Sequence, residues 1–195
     1  MNPADFVNTL GRTLGLSFAA GINLYATVAV VGLASRFGWV DLPAQYHVFD
    51  NNWVIGVAVF LYLVEFVADK IPWIDSLWDA IHTVIRPIGG ALIAVASIGH
   101  AQPVFQGMAA LAGALVATST HAAKAGTRAV ANTSPEPFSN WALSFAEDGF
   151  VITLGLLALS HPIAAAVVVV GALAVIVFTI TWLVRRFRSM SRVRG

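Results

Sequence analysis

Two apolar stretches of the sequence each end in a pair of charged residues, and the two pairs carry opposite charges. Glu65 and Asp69 close the first stretch, and Lys124 and Arg128 close the second, 59 positions further along. Residues four apart lie on one face of a helix, so each pair presents its charges together. Ionisable groups near bilayer depth are costly unless they are paired or functional. Such groups bind polar solutes, carry protons or form ion pairs.

Two further charges and one amide complete the candidate site. Arg86 and Glu147 flank two short apolar segments and again have opposite signs. Asn23 lies within the first apolar segment, where its amide needs a hydrogen-bond partner. The simplest arrangement is a near-neutral network with a polar site between two halves of the chain. The predicted site or network residues are Asn23, Glu65, Asp69, Arg86, Lys124, Arg128 and Glu147.

These charges allow two interpretations. They can form a site for a small polar solute, an ion or a lipid head group, with Glu65 or Asp69 as a proton relay in one version. They can also serve only to hold two helical hairpins together near the inner interface. Mixed charges near helix N-termini, where the dipole is positive, suit a zwitterionic or anionic solute.

Other chemistry has little support in the sequence. The chain has no cysteine, which excludes disulfides and thiolate-bound zinc. The histidines lack the spacing of a metal site, so neither a metal nor a cofactor is predicted, although a gating or interface role for His100 and His161 is conceivable. Asp75 and Asp79 are interpreted as a solvated helix face. No nucleophile turn or Walker loop occurs, and we expect no enzyme.

Composition places the chain in a membrane. Of its 195 residues, 58% are hydrophobic and 11% are charged, whereas soluble proteins average about 25% charged residues. The net charge of +1 gives no sign of nucleic-acid binding. The first apolar run has no clean cleavage site, so it is interpreted as a retained membrane segment. We expect one integral membrane domain over residues 1–195, with a basic cytoplasmic tail over 185–195.

Six apolar segments are predicted from the hydropathy of the chain. The last one is long enough to cross a bilayer, and the arginines that follow it mark a cytoplasmic C-terminus. Six crossings place both termini in the cytoplasm, with ten basic residues inside and only Arg36 outside. The segments cover about 14–35, 53–68, 87–99, 104–123, 149–160 and 163–184.

Three of these segments have unusual features. Segments 87–99 and 149–160 are too short to cross, so they are predicted to borrow length from their flanks, tilt, thin the bilayer or re-enter. The flank at 73–86 has the pattern of an amphipathic helix at the inner interface, and Pro87 suits the first turn of a new helix. Glycines near Asn23 allow either close helix packing or an unwound stretch in the first segment.

The two halves of the chain repeat one plan with exchanged charges. Residues 61–103 laid over 120–162 give the same order of features, and at an offset of 59 each acid of the first pair meets a base of the second. Paired short segments in corresponding positions point to a binding site in transporters. The units, about 53–103 and 104–162, are predicted to be parallel repeats, with inverted three-helix units as the alternative.

Three stretches resemble a known family: Gly21–Tyr25 (GINLY), Glu65–Pro72 (EFVADKIP) and Asp79–Pro87 (DAIHTVIRP). They are similar to the small bacterial inner-membrane family called domain of unknown function 4126, and the resemblance covers nearly the whole chain. It implies an all-helical protein of the bacterial inner membrane. It implies no activity.

The sequence thus predicts an all-α polytopic membrane protein with about six hydrophobic segments, two related hairpins and two short or re-entrant helices. The favoured function is a small transporter or channel-like protein for a small polar solute, an ion or a lipid head group. The alternative is a non-transporting scaffold or regulatory protein. The expected partners are the lipid bilayer, a small polar or anionic solute and a second copy in a homodimer, without nucleic acid.

Overall fold

Helices alone build the protein over residues 2–133 and 138–193, which its computed structural model describes. This confirms the predicted all-α class. Residues 194 and 195 of the predicted basic tail lie outside the described residues. In chain order the helices are α1 (Pro3–Ile22), α2 (Leu24–Arg36), α3 (Asn52–Ala68), α4 (Pro72–Ile98), α5 (Pro103–Ala131), α6 (Phe138–Ser160) and α7 (Pro162–Val193), with a 3-10 helix at Ala44–Phe49.

Local sequence signals explain where several helices begin. Proline occupies the first turn of α4 and α5, where its missing N–H and fixed φ suit a helix start. Asn51 begins α3 by accepting a hydrogen bond from the backbone N–H of Trp53 through its side chain. Asn23 caps α2 in the same way, through the N–H of Ala26.

Among the described residues, α4 to α7 are the four helices long and apolar enough to cross a membrane. Helix α4 is built inside out. It buries Asp75 and Arg86 and exposes Ile81 and Leu92, although charged residues are almost never fully buried in soluble proteins unless they are paired. An apolar exterior around a charged interior suggests a membrane protein.

The two short segments of the sequence belong to longer helices. Residues 87–99 form the second part of the 27-residue α4, and Pro87 lies inside that helix. Residues 149–160 are likewise the second part of the 23-residue α6. Of the predicted possibilities, a short or re-entrant helix is therefore wrong, and a helix lengthened by its flank is what the structure shows. Each segment takes its length from the flank before it, because that flank buries its charges within the bundle.

Helices α1 and α2 reverse direction at Asn23, and their contacts with α6 show the reversal. Gly15 of α1 packs against Ala158, Asn23 reaches Asp148, and Val30 of α2 returns to Gly155. The chain therefore runs along α6 to Asp148 and then back again. A single extended residue, with φ −146° and ψ 101°, makes the turn. We call this element the α1–α2 hairpin and Asn23 its tip.

Both arms of the α1–α2 hairpin point to the end of the bundle that carries the α4–α5 and α6–α7 turns, here called the turn end. On the first arm, Arg12 donates to the carbonyl of Leu159, next to the α6–α7 turn. The second arm ends at Arg36, which leads into the loop whose Gln45 donates to Ser97 O near the end of α4.

Helix α7 also starts at the turn end, where Pro162 packs against Gly11, and it runs to the opposite end of the bundle. The prediction that 14–35 crosses once, with both termini on one side, is therefore wrong. A hydropathy profile shows one continuous apolar run here, because the reversal takes a single residue.

Helix α1 lies at the centre of the bundle, and small residues allow its close approach to the other helices. A side chain at Gly21 would collide with the carbonyl of Ala117 in α5. One turn earlier on α1, Ser17 donates to the carbonyl of Gly90 in α4. This packing brings the tip of the α1–α2 hairpin against α4, α5 and α6, where the charged residues lie.

Candidate functional site

Glu65 lies at the centre of a buried network of charges. Its Oε1 accepts from Arg86 Nη2 at 2.6 Å and from Lys124 Nζ at 3.3 Å. The side chains of Glu65 and Arg86 are fully buried and that of Lys124 is 2% exposed. Helix α3 thus reaches both α4 and α5 through one carboxylate oxygen.

The network continues through Arg128 of α5. Its Nη2 lies 3.1 Å from Asp69 Oδ2 and 2.6 Å from Glu147 Oε2. Lys124 Nζ also lies near these two acids, at 3.3 Å from Asp69 and 3.6 Å from Glu147. The structure therefore joins all six charged residues of the predicted network. Whether they bind a ligand stays a prediction.

The tip of the α1–α2 hairpin contacts this network through its backbone. Lys124 Nζ donates to the carbonyl of Ile22 at 3.2 Å, and Arg86 Nη1 donates to that of Gly21 at 3.4 Å. These carbonyls belong to the last turn of α1, where the helix dipole is negative and attracts cations. Asn23 Nδ2 in turn donates to Asp148 Oδ1 at 3.3 Å. The seventh predicted residue thus lies at the edge of the network.

Three further carboxylates belong to this site, and the sequence analysis did not assign them to it. Asp79 Oδ1 lies 3.2 Å from Arg86 Nη1, and Asp75 accepts from Asn132 at 2.8 Å and lies 4.0 Å from Arg128. Asp148 is the third. The interpretation of Asp75 and Asp79 as a solvated face is wrong, because both are buried.

A signal for two of these acids is present in the sequence. Asp75, Asp79, His82 and Arg86 follow one another at steps of four, three and four, so they share one face of α4. In a bilayer that polar face must turn inward. The prediction of an amphipathic helix at the inner interface is wrong for this reason.

Two histidines line the network. Arg86 Nη1 lies 2.6 Å from His121 Nδ1 and can only donate, so that nitrogen is unprotonated. His82 donates from Nδ1 to the carbonyl of Trp78, and its Nε2 lies 3.0 Å from the hydroxyl of Tyr25. Among the described residues, no group of three or more acids and histidines could hold a metal ion. His100 and His161 are exposed, and a role for them stays a prediction.

Acids outnumber bases in this network. Counted over the described residues, six carboxylates surround three buried cations, whereas the sequence predicted three of each. Four carboxylate oxygens have no hydrogen-bond partner within the protein. The acids are Glu65, Asp69, Asp75, Asp79, Glu147 and Asp148, the cations are Arg86, Lys124 and Arg128, and the open oxygens are Glu65 Oε2, Asp69 Oδ1, Asp75 Oδ1 and Asp148 Oδ2.

Two clefts lead to the network. One, of about 220 Å³, lies between α4 and α5 and reaches Asp79 and Arg128. The other, of about 240 Å³, lies between α1, α5, α6 and α7 and reaches Lys124 and Glu147. Both clefts reach the edge of the network, whose central side chains, Glu65 and Arg86, are fully buried.

Lys70, in the turn between α3 and α4, connects α3 with α6. Its ammonium donates to the carbonyl of Phe66 and to Ser144 Oγ, and it lies 3.1 Å from the centre of the Phe66 ring. Partial burial, which removes water from the ammonium, lowers the pKa of Lys70.

Comparison with known proteins identifies a family without an assigned activity. No match was found among curated proteins or among solved structures. The family described as a domain of unknown function, 4126, matches residues 10–183, which include every residue of the network described above. The chain therefore belongs to the domain of unknown function 4126 family.

Proposed function

We propose that the protein is a membrane transport protein whose solute site lies where the tip of the α1–α2 hairpin meets the charged network. The observation that carries this proposal is the broken helix at Asn23, whose last carbonyls receive Arg86 and Lys124. Discontinuous helices that end beside ionisable groups at membrane depth form the substrate and ion sites of many transporters. The proposal contains no catalytic step and no cofactor.

The depth of the network supports a site within the bilayer. Arg86 lies 12 residues before the end of α4 at Ile98. At 1.5 Å per residue this is about 18 Å, which is roughly halfway across a hydrocarbon core of about 30 Å. Burying paired charges at this depth costs more free energy than burying them at the interface, which argues against a purely structural role.

The net negative charge of the network favours a positively charged solute. Carboxylates exceed buried cations by three, and the end of α1 adds the negative pole of its dipole. We therefore propose a small organic cation, or a proton together with a polar solute, in place of the zwitterionic or anionic solute that the sequence suggested. A homodimer remains part of the proposal, since a chain of 195 residues encloses little volume alone.

The orientation follows from the basic residues. Of the ten lysines and arginines among the described residues, only Arg12 and Arg36 lie toward the turn end. The other eight lie in the network or beyond it toward the far end of α7. By the positive-inside rule we propose that this far end faces the cytoplasm and that the turn end faces outward, in the bacterial inner membrane.

Charge movement in proteoliposomes tests the proposal. On a solid-supported membrane, jumps in pH and in the concentration of primary amines, cationic amino acids and choline should evoke a transient current. We expect Glu65→Gln to reduce that current at least tenfold. Asp50→Asn should leave it unchanged, because Asp50 pairs with Arg36 on the exposed turn end. No current with any of these probes, from protein that elutes as a single species, would contradict the proposal.

A scaffold role is the second candidate, and the bonding of Arg128 favours it. That guanidinium contacts Asp69, Glu147 and Asn140, so it is held on every side. A guanidinium whose donors all bond within the protein can hold helices together, and it has no donor left for a solute. A scaffold predicts that Glu65→Gln weakens folding while no probe evokes a current in the wild-type protein.

A further inference from the structure

We infer that Asp148 is the proton-binding residue of this site and that its proton exchanges with the transported cation. This inference rests on the proposed function and names its coupling ion. It starts from a difference between Asp148 and the other five carboxylates of the network. Each of those five lies within 4.0 Å of an arginine or lysine nitrogen, and no such ion pair is formed by Asp148 among the described residues.

The local geometry leaves Asp148 without a counter-ion and almost without water. The residue is 5% exposed. Its Oδ1 accepts one hydrogen bond, from Asn23 Nδ2 at 3.3 Å, and its Oδ2 has no partner within the protein. An ionised carboxylate in such a place carries a large desolvation cost, so the carboxyl retains a proton until a positive charge arrives.

The charged groups around Asp148 do not supply that positive charge. Helix α3 presents Glu65, Asp69 and the phenol of Tyr62, and Glu147 is the adjacent residue on α6 itself. The two nearest ammonium groups are already engaged elsewhere. Lys124 bonds to Glu65, Asp69 and the carbonyl of Ile22, and Lys70 bonds to the carbonyl of Phe66 and to Ser144.

The position of Asp148 links its charge to the α1–α2 hairpin. Its single hydrogen bond comes from the tip residue, Asn23, which also caps α2. Loss of the proton places an unpaired negative charge beside the tip, and an entering cation neutralises it. Proton and cation then occupy the site alternately, and no other bond is made or broken.

Infrared spectroscopy of the purified full-length protein in lipid nanodiscs tests this inference without any transport. We expect a carboxylic-acid C=O band in mildly acidic buffer that disappears as the pH rises above 7. Asp148→Asn should remove this band, and Asp50→Asn should leave it. A band of unchanged intensity in Asp148→Asn would overturn the inference.

A second variant keeps the test decisive if Asp148→Asn fails to fold. Asn23→Ala removes the donor that stabilises the ionised carboxylate, so the pH at which the band disappears should rise. An unchanged pH would also overturn the inference. Currents from a protein that lacks the band would refute Asp148 and leave the transport proposal standing, whereas a band without currents would do the opposite.

Discussion

Glu65 and Lys124 lie 3.3 Å apart although 59 positions separate them in the chain. Asp69 and Arg128 have the same separation and also form a pair. Moving four residues forward from Glu65 and four residues forward from Lys124 thus gives a second contact, between Asp69 and Arg128. The helices α3 and α5 therefore run in the same direction here. This is the direction that a parallel repeat predicts, and the relation of the complete halves stays a prediction.

The contacts within each half follow the same exchange of charges. Glu65 pairs with Arg86 in the first half, and Lys124 lies near Glu147 in the second. Each half therefore contains a charge pair of its own, with the order of the two signs exchanged. Glu65 and Lys124 do not form an isolated pair, because Arg86 lies closer to Glu65, at 2.6 Å.

The double reversal Glu65→Lys with Lys124→Glu should therefore fail to restore stability. The new lysine would face Arg86, and the new glutamate would face Asp69 and Glu147. Disrupting a buried ion pair costs about 3–5 kcal/mol, and we expect at least this loss. Thermal unfolding can be followed in detergent by the fluorescence of the six tryptophans.

An exposed pair serves as the control for that reversal. Arg36 and Asp50 pair at 2.8 Å with side chains that are 31% and 29% exposed. Their exchange should change stability by less than about 1 kcal/mol. A double reversal of Glu65 and Lys124 as stable as the wild-type protein would show that the two residues form an isolated pair.

Gly21→Val should destabilise the protein strongly, because the new side chain would meet the carbonyl of Ala117. Overpacking of this kind costs about 1–3 kcal/mol or more. The matched control is Gly107→Val, since a side chain at Gly107 would meet no atom within 4 Å. Equal unfolding temperatures for the two variants would contradict close packing of α1 against α5.

The network could be predicted from the sequence because charge in an apolar chain has few acceptable positions. Glu65 and Lys124 interrupt apolar segments, so each had to find a partner inside the protein. Asp75 and Asp79 were missed for a different reason. Their helix has a polar and an apolar face, and the same pattern fits a helix lying on the membrane or one turned inside out within it.

The reversal at Asn23 could not be predicted from periodicity. One extended residue redirects the chain, and its neighbours on both sides are as apolar as those of a straight crossing helix. What decides the path is the pairing of the carbonyls of Gly21 and Ile22 with Arg86 and Lys124. Those contacts join residues more than 60 positions apart, which a local pattern does not report.

Asn23→Ala should cost more stability than the loss of a helix cap. Removing an asparagine cap costs about 1 kcal/mol, and Asn23 also donates to Asp148. The control is Asn51→Ala, which removes only the cap of α3 in an exposed position. We expect the unfolding temperature to fall further for Asn23→Ala. Equal falls would show that the bond to Asp148 contributes nothing to stability.

Single-cysteine labelling should place the start of α1 on the same side of the membrane as the α4–α5 turn. The chain has no cysteine, so Asp5→Cys, Gln102→Cys and Thr133→Cys each introduce one thiol, and all three positions are exposed. Because both arms of the α1–α2 hairpin point to the turn end, an impermeant maleimide added to intact cells should label the first two and not the third. All three should react after permeabilisation, which controls for buried thiols. Protection of Asp5→Cys together with Thr133→Cys would mean that residues 14–35 cross the membrane once, and the reversal at Asn23 would then be wrong.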